Sequence, residues 1–148
     1  MIDREQINAY LTSALAEITA ESARGSGRYM GVPDPLKGRG PELGAKFTTR
    51  LLPIREAHCE AEPKEKDSYR DAWQNAKNAL LKCGKLLEED DFAGVLTGTI
   101  RAGMKDTNPA VIVIDVEQEN LKISAYAKEG LVSQHTAEKA IDRFLREL

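Results

Sequence analysis

Aromatic residues are scarce in this chain. Only 5% of its 148 residues carry a ring, with one tryptophan, four tyrosines and three phenylalanines. So few rings leave little surface on which nucleobases can stack. Long hydrophobic runs are missing as well. No stretch approaches the roughly 20 apolar residues that span a bilayer. The first residues, MIDREQINAY, are acidic and amphipathic, so no secretory signal is read there and no membrane contact is expected. Cysteine is limited to Cys59 and Cys83. Two cysteines suit a reducing compartment, and the reading is a soluble cytoplasmic protein; a bridge between them is neither demanded nor excluded.

Several chemistries lack their residues. There is no P-loop, no H-E-x-x-H and no G-x-S-x-G. Gly25, Gly27 and Gly31 approach dinucleotide-loop spacing, but a helix precedes them and Pro33 and Pro35 follow, so that match is rejected. His58, Cys59, Cys83 and His135 are zinc-type donors, yet they lack the paired short spacings that zinc sites use. Cys59 sits among Glu56, Glu60 and Glu62, whose charge opposes a reactive thiolate, and it reads as a solvated loop residue. Asp115, Glu117 and Lys122 faintly suggest a metal-dependent nuclease, but such a pattern is common by chance near any turn. No metal and no cofactor are expected.

What the chain does contain is the periodicity of one α+β domain. A length of 148 residues can bury roughly 68–70% of its unfolded surface in a single core. A helix is predicted over 3–22, capped by Asp3 with Gln6, with Ile7, Leu11, Ala14, Leu15 and Ile18 on one face. KFTTRLLPI, 46–54, has some strand character, and 55–66 reads as a polar loop. A second helix is predicted over 68–89, with Ser68 and Asp71 at its start and Tyr69, Trp73, Ala76, Leu80, Cys83 and Leu87 in its stripe. EEDD at 88–91 opposes the helix dipole there, which predicts fraying. The last third changes period. Strands are predicted over 93–102, 110–116 and 121–127, and a helix over 134–148. Antiparallel strands with helices on one face fit this order, giving a single α+β domain with a three- to four-stranded sheet and three helices.

One stretch belongs to neither period. RGSGRYMGVPDPLKGRGPELGAK, 24–46, holds six of the eleven glycines and three of the six prolines. It reads as a basic loop, and loops longer than about 15 residues are uncommon in compact domains unless they serve a function. Residues 24–55 carry seven basic and two acidic residues, a surplus of five. With a net charge of −3 overall, the remainder carries −8. The ligand-binding candidates are Arg24, Arg28, Tyr29, Lys37, Arg39, Lys46 and Arg50. Arginines clamp phosphate or carboxylate, and tyrosine and arginine anchor protein interfaces.

The expected function is therefore that of a non-enzymatic binding or regulatory protein. Its partner would be a protein or an anionic ligand, nucleic acid among them, and the self-complementary charge is compatible with a homodimer. The alternative is a small enzyme acting on nucleic acid or a phosphorylated substrate. There the arginines would hold phosphate and His58 or His135 would act as general acid/base.

Overall fold

The computed structural model describes residues 2–30, 52–62, 68–103, 106–117, 120–130 and 133–148. The chain divides into two compact units, Met1–Pro53 and Ile54–Leu148.

The first unit contributes helix α1, Arg4–Met30. Asp3 caps it: its Oδ1 accepts the Gln6 backbone N–H at 2.7 Å, as the sequence implied. The Gln6 side-chain amide donates to the Tyr10 hydroxyl at 3.4 Å, one turn on. The helix runs eight residues past its expected end at 22. Gly25 and Gly27 each cost a helix about 1 kcal/mol relative to alanine, which weakens it without breaking it. Arg24, Arg28 and Tyr29 therefore stand on helical backbone, a correction to the loop expected from residue 24 onward.

The second unit is a sheet with two helices on one face. Its elements are β1 (Ile54–Ala61), α2 (Tyr69–Cys83), β2 (Lys85–Asp90), β3 (Val95–Ala102), β4 (Asn108–Val116), β5 (Leu121–Lys128) and α3 (Thr136–Glu147). The five strands lie in the order β1-β5-β4-β3-β2, every neighbouring pair antiparallel. The α+β class holds, but a sheet of three or four strands is overturned by two further edge strands.

The first is β1, where a polar loop was expected. Its alternation is real but quiet. Ala57, Cys59 and Ala61 pack towards the core, while Glu56, His58 and Glu60 are exposed. Small inward residues opposite charged outward ones suit an edge strand and give little apolar signal. The second is β2, which the helix prediction had absorbed. Helix α2 stops at Cys83, and the chain turns at Gly84 into the sheet. A Cβ at Gly84 would lie 2.3 Å from the Thr99 carbonyl oxygen, so only glycine lets the backbone pass there. The acidic run disfavoured at a helix C-terminus is accommodated instead on the exposed edge strand. A bulge between Leu86 and Glu88 interrupts its pairing with β3.

The core lies between the sheet and the helices. Leu96, Ile100, Ile112, Ile114, Leu121, Ile123 and Ala125 meet Trp73, Ala76 and Leu80 of α2 and Ala137, Ala140, Ile141 and Phe144 of α3. The clean alternation read in LKISAYA is borne out, with Leu121, Ile123, Ala125 and Ala127 all buried. The apolar run 110–116 takes a central position in the sheet, as its composition implied. Gly98 brings α2 close: a Cβ there would lie 2.9 Å from both Leu80 methyl carbons.

Candidate functional site

The basic segment is only partly within the described residues. Arg24, Arg28 and Tyr29 fall in the last turns of α1, and Arg55 is an exposed residue near the start of β1. Lys37, Arg39, Lys46 and Arg50 lie outside the described residues, as do the prolines at 33, 35 and 41.

The two histidines do not form one site. His58 lies on β1, pointing away from the helices, and its register partner is Ser124 of β5. Its Nδ1 lies 3.0 Å from the Ser124 hydroxyl, a hydrogen bond. The Tyr126 ring stands edge-on at 6.3 Å, and the Glu56 carboxylate is 3.9 Å from Nε2. The imidazole is well exposed, so it sits on a polar surface and not in an enclosed cleft. His135 precedes α3, which packs on the opposite face of the sheet. It holds a left-handed conformation with φ 53°, and its Nδ1 faces Glu138 Oε1 at 3.4 Å. A site using both histidines is therefore not assembled.

The position beside His135 has a carboxylate that the sequence did not flag. Glu129 is 2% exposed, and its two oxygens gather the start of α3. Oε1 accepts the Thr136 N–H at 2.6 Å; Oε2 accepts the Gln134 N–H at 3.2 Å and the Ser133 hydroxyl at 3.1 Å. Burial pushes this carboxyl up, but the Thr136, Ser133 and Gln134 donors outweigh it and hold it below the ordinary carboxylate value. A charged acceptor at a helix N-terminus also meets the positive end of the dipole. Next to it, Asn108 ties the strand to the helix, its amide reaching the Lys128 carbonyl and the Thr136 hydroxyl, each at 3.1 Å. Lys128 is buried, and desolvation lowers its ammonium pKa. This cluster is architectural: it joins β4, β5 and α3.

The acidic residues considered for a nuclease are arranged differently. Asp115 faces Lys122 across the β4–β5 ladder, and the Lys122 ammonium donates to Glu117. That hydrogen bond, and then the Glu117 charge, raise the lysine pKa. The acids thus neutralise a lysine and do not converge on a vacant centre. Among the described residues no group of three or more His, Cys, Asp or Glu could hold a metal ion. Both cysteines are free. Cys59 is a half-buried strand residue facing the helices, not the solvated loop thiol expected, and alternation turns its neighbour Glu60 to the other face. Burial pushes the Cys83 thiol up. A shallow groove of about 440 Å³ runs between α2 and the end of α3, lined by Asn75, Asn78, Leu81, Lys82 and Glu147 among others. No helix among the described residues is long and apolar enough to cross a membrane.

Comparison with protein-family models, curated proteins and solved structures finds no match.

Ser124, Tyr126 and Glu129 are the residues that sequence reasoning passed over. The alternation of LKISAYA already set Ser124 and Tyr126 on its polar face. Their meeting with His58 depends on a β1–β5 pairing that reading 55–66 as a loop concealed.

Proposed function

We propose that the chain is a small binding or regulatory protein whose basic segment, residues 24–55, engages a protein partner or an anionic ligand. The observation that supports this reading is the segregation of charge. The segment carries a surplus of five positive charges in a chain whose remaining residues carry −8. Its ends are tethered to regular structure, with Arg24 and Arg28 in the last turns of α1 and Arg55 on β1. Clustered guanidinium groups attract phosphate and carboxylate and hydrogen-bond them in pairs. The acidic remainder disfavours a long duplex and favours a short strand, a small phosphorylated ligand or an acidic protein surface.

The test is a titration of labelled single-stranded RNA, single-stranded DNA and duplex DNA across salt. Binding whose logarithm falls linearly with log salt, and which weakens on replacing Arg28, Arg39 and Arg50 by alanine, supports an anion site. Absence of binding to all three at low salt removes nucleic acid and moves the search to acidic proteins.

The enzymatic alternative rests on one contact. The Ser124 hydroxyl holds the solvent-exposed His58 ring at 3.0 Å. An accessible imidazole within hydrogen-bond reach of a hydroxyl can serve as general acid or base. Cleavage of the bound strand that disappears in His58→Ala supports this alternative, and intact strands after prolonged incubation with wild type discard it.

A further inference from the structure

The two edges of the sheet are not alike. Edge strands present unpaired N–H and C=O groups and are blunted in most proteins by bulges, charge or cover. Strand β2 shows two such devices, a bulge between Leu86 and Glu88 and the acidic run Glu88–Glu89–Asp90. Strand β1 also carries charge, at Arg55, Glu56 and Glu60, but shows no bulge. Its ladder with β5 runs without a register shift from Ile54↔Lys128 to Ala61↔Leu121. Among the described residues nothing pairs with its other side.

We propose that β1 is an association edge and that its partner is a second copy of this chain, paired antiparallel about a two-fold axis at Ala57. The charges along β1 select this register. Edge-to-edge pairing about a two-fold axis keeps each face of the sheet continuous, so opposed residues must belong to the same face. That leaves centres on single residues. An axis at Glu56 sets that carboxylate against its own copy. An axis at His58 sets Glu56 against Glu60 twice. An axis at Cys59 sets His58 against Glu60, but it also brings Glu56 against Glu62, the residue just past the strand, twice. Like charges directly opposite one another destabilise a pair. An axis at Ala57 creates no such conflict. It places Glu56 opposite His58 of the second copy, twice by symmetry, with Arg55 opposite Cys59 and Ile54 opposite Glu60.

The His58 ring is prepared for that neighbour. In the tautomer whose Nδ1 accepts the Ser124 hydroxyl proton, Nε2 carries the ring N–H. The Glu56 carboxylate of its own chain is 3.9 Å from Nε2, beyond hydrogen-bond distance. The donor is exposed on the sheet surface beside the edge. A carboxylate directly across the strand pair can accept it. Ala57, small at the axis, lets the two backbones pair without a side-chain clash. The two five-stranded sheets then form one of ten strands.

The test uses the full chain under reducing conditions in the analytical ultracentrifuge, with two variants checked for folding by circular dichroism. Wild type is expected to dimerise reversibly at or below about 100 μM. His58→Glu, a change on an exposed side chain, is expected to raise the dimer dissociation constant at least about tenfold, because it sets a carboxylate opposite each of the two Glu56 side chains. Ala57→Cys is expected to give a covalent dimer on oxidation, since opposed strand residues lie within disulfide reach. The native Cys59, four positions from its own copy across the axis, is expected to give none. A wild type monomeric at that concentration overturns the proposal. So does a His58→Glu dimer as tight as wild type, or a wild-type dimer that oxidises through Cys59.

Discussion

Glu129 decides how the chain enters its last helix. The first N–H groups of any helix lack partners within it, and here His135, at the cap position, gives them no side-chain acceptor. A buried carboxylate from six residues upstream of the cap takes that role. Glu129→Ala leaves the Thr136 and Gln134 amides without their acceptor, and is expected to cost roughly 2–3 kcal/mol in denaturant unfolding at pH 7. The pH dependence follows from the lowered pKa. The native state holds Glu129 ionised more strongly than the unfolded chain does, so its contribution is complete above the unfolded value of about 4.5. That contribution is lost as pH falls through the lower native value. The gap in stability between wild type and Glu129→Gln should therefore be widest near neutrality and shrink in acid below about pH 4. A gap that stays constant into strong acid would mean that the charge plays no part. At the exposed His58, by contrast, alanine should change stability by no more than about 0.5 kcal/mol.

Among the elements, those with a dense apolar pattern were legible and those at the edges were not. The stripe Ala137, Ala140, Ile141 and Phe144 announces α3, and the run 110–116 announces a central strand, because both bury large side chains at a regular period. Strand β1 escaped because its inward residues are alanines and a cysteine, whose alternation carries little hydrophobic contrast. Strand β2 escaped because Leu80, Cys83 and Leu87 keep a helical spacing across a junction that only backbone crowding reveals. The candidate site was legible as a charge pattern. The His58–Ser124 pair was not, because it depends on long-range pairing of two strands. Gly84 is where that crowding can be tested. Gly84→Ala must push the new methyl away from the Thr99 carbonyl, and an overpacked site of this kind is expected to lose roughly 1–3 kcal/mol. Phe92 provides the control. It is fully exposed at the tip of the β2–β3 turn, which is held by the Asp90 carboxylate accepting the Phe92 and Ala93 N–H groups. Phe92→Ser should leave the unfolding midpoint unchanged.

Among the described residues, the sheet's buried cluster and the basic surplus draw on different parts of the chain. The buried cluster that holds the sheet to α2 and α3 comes entirely from the Ile54–Leu148 unit. The basic surplus comes from 24–55, of which only Ile54 and Arg55 belong to that unit. Cations outside a core contribute little to folding, since exposed ion pairs are worth about 0–1 kcal/mol each. Replacing Arg28, Arg39 and Arg50 together by alanine should therefore leave the cooperative unfolding transition nearly where it was. It removes three of the seven basic groups of the segment, so any anion affinity should fall together with its salt dependence. If all three contact phosphate, the slope of log affinity against log salt should flatten by about two to three. Thermal unfolding and salt-titrated binding on the same preparation separate the cases. A large fall in melting temperature would mean that the arginines hold the fold together. Unchanged melting with a flattened slope would place them at the ligand. Unchanged melting with an unchanged slope would move the contact to Arg24, Lys37, Lys46 or Arg55, the basic groups the variant leaves in place.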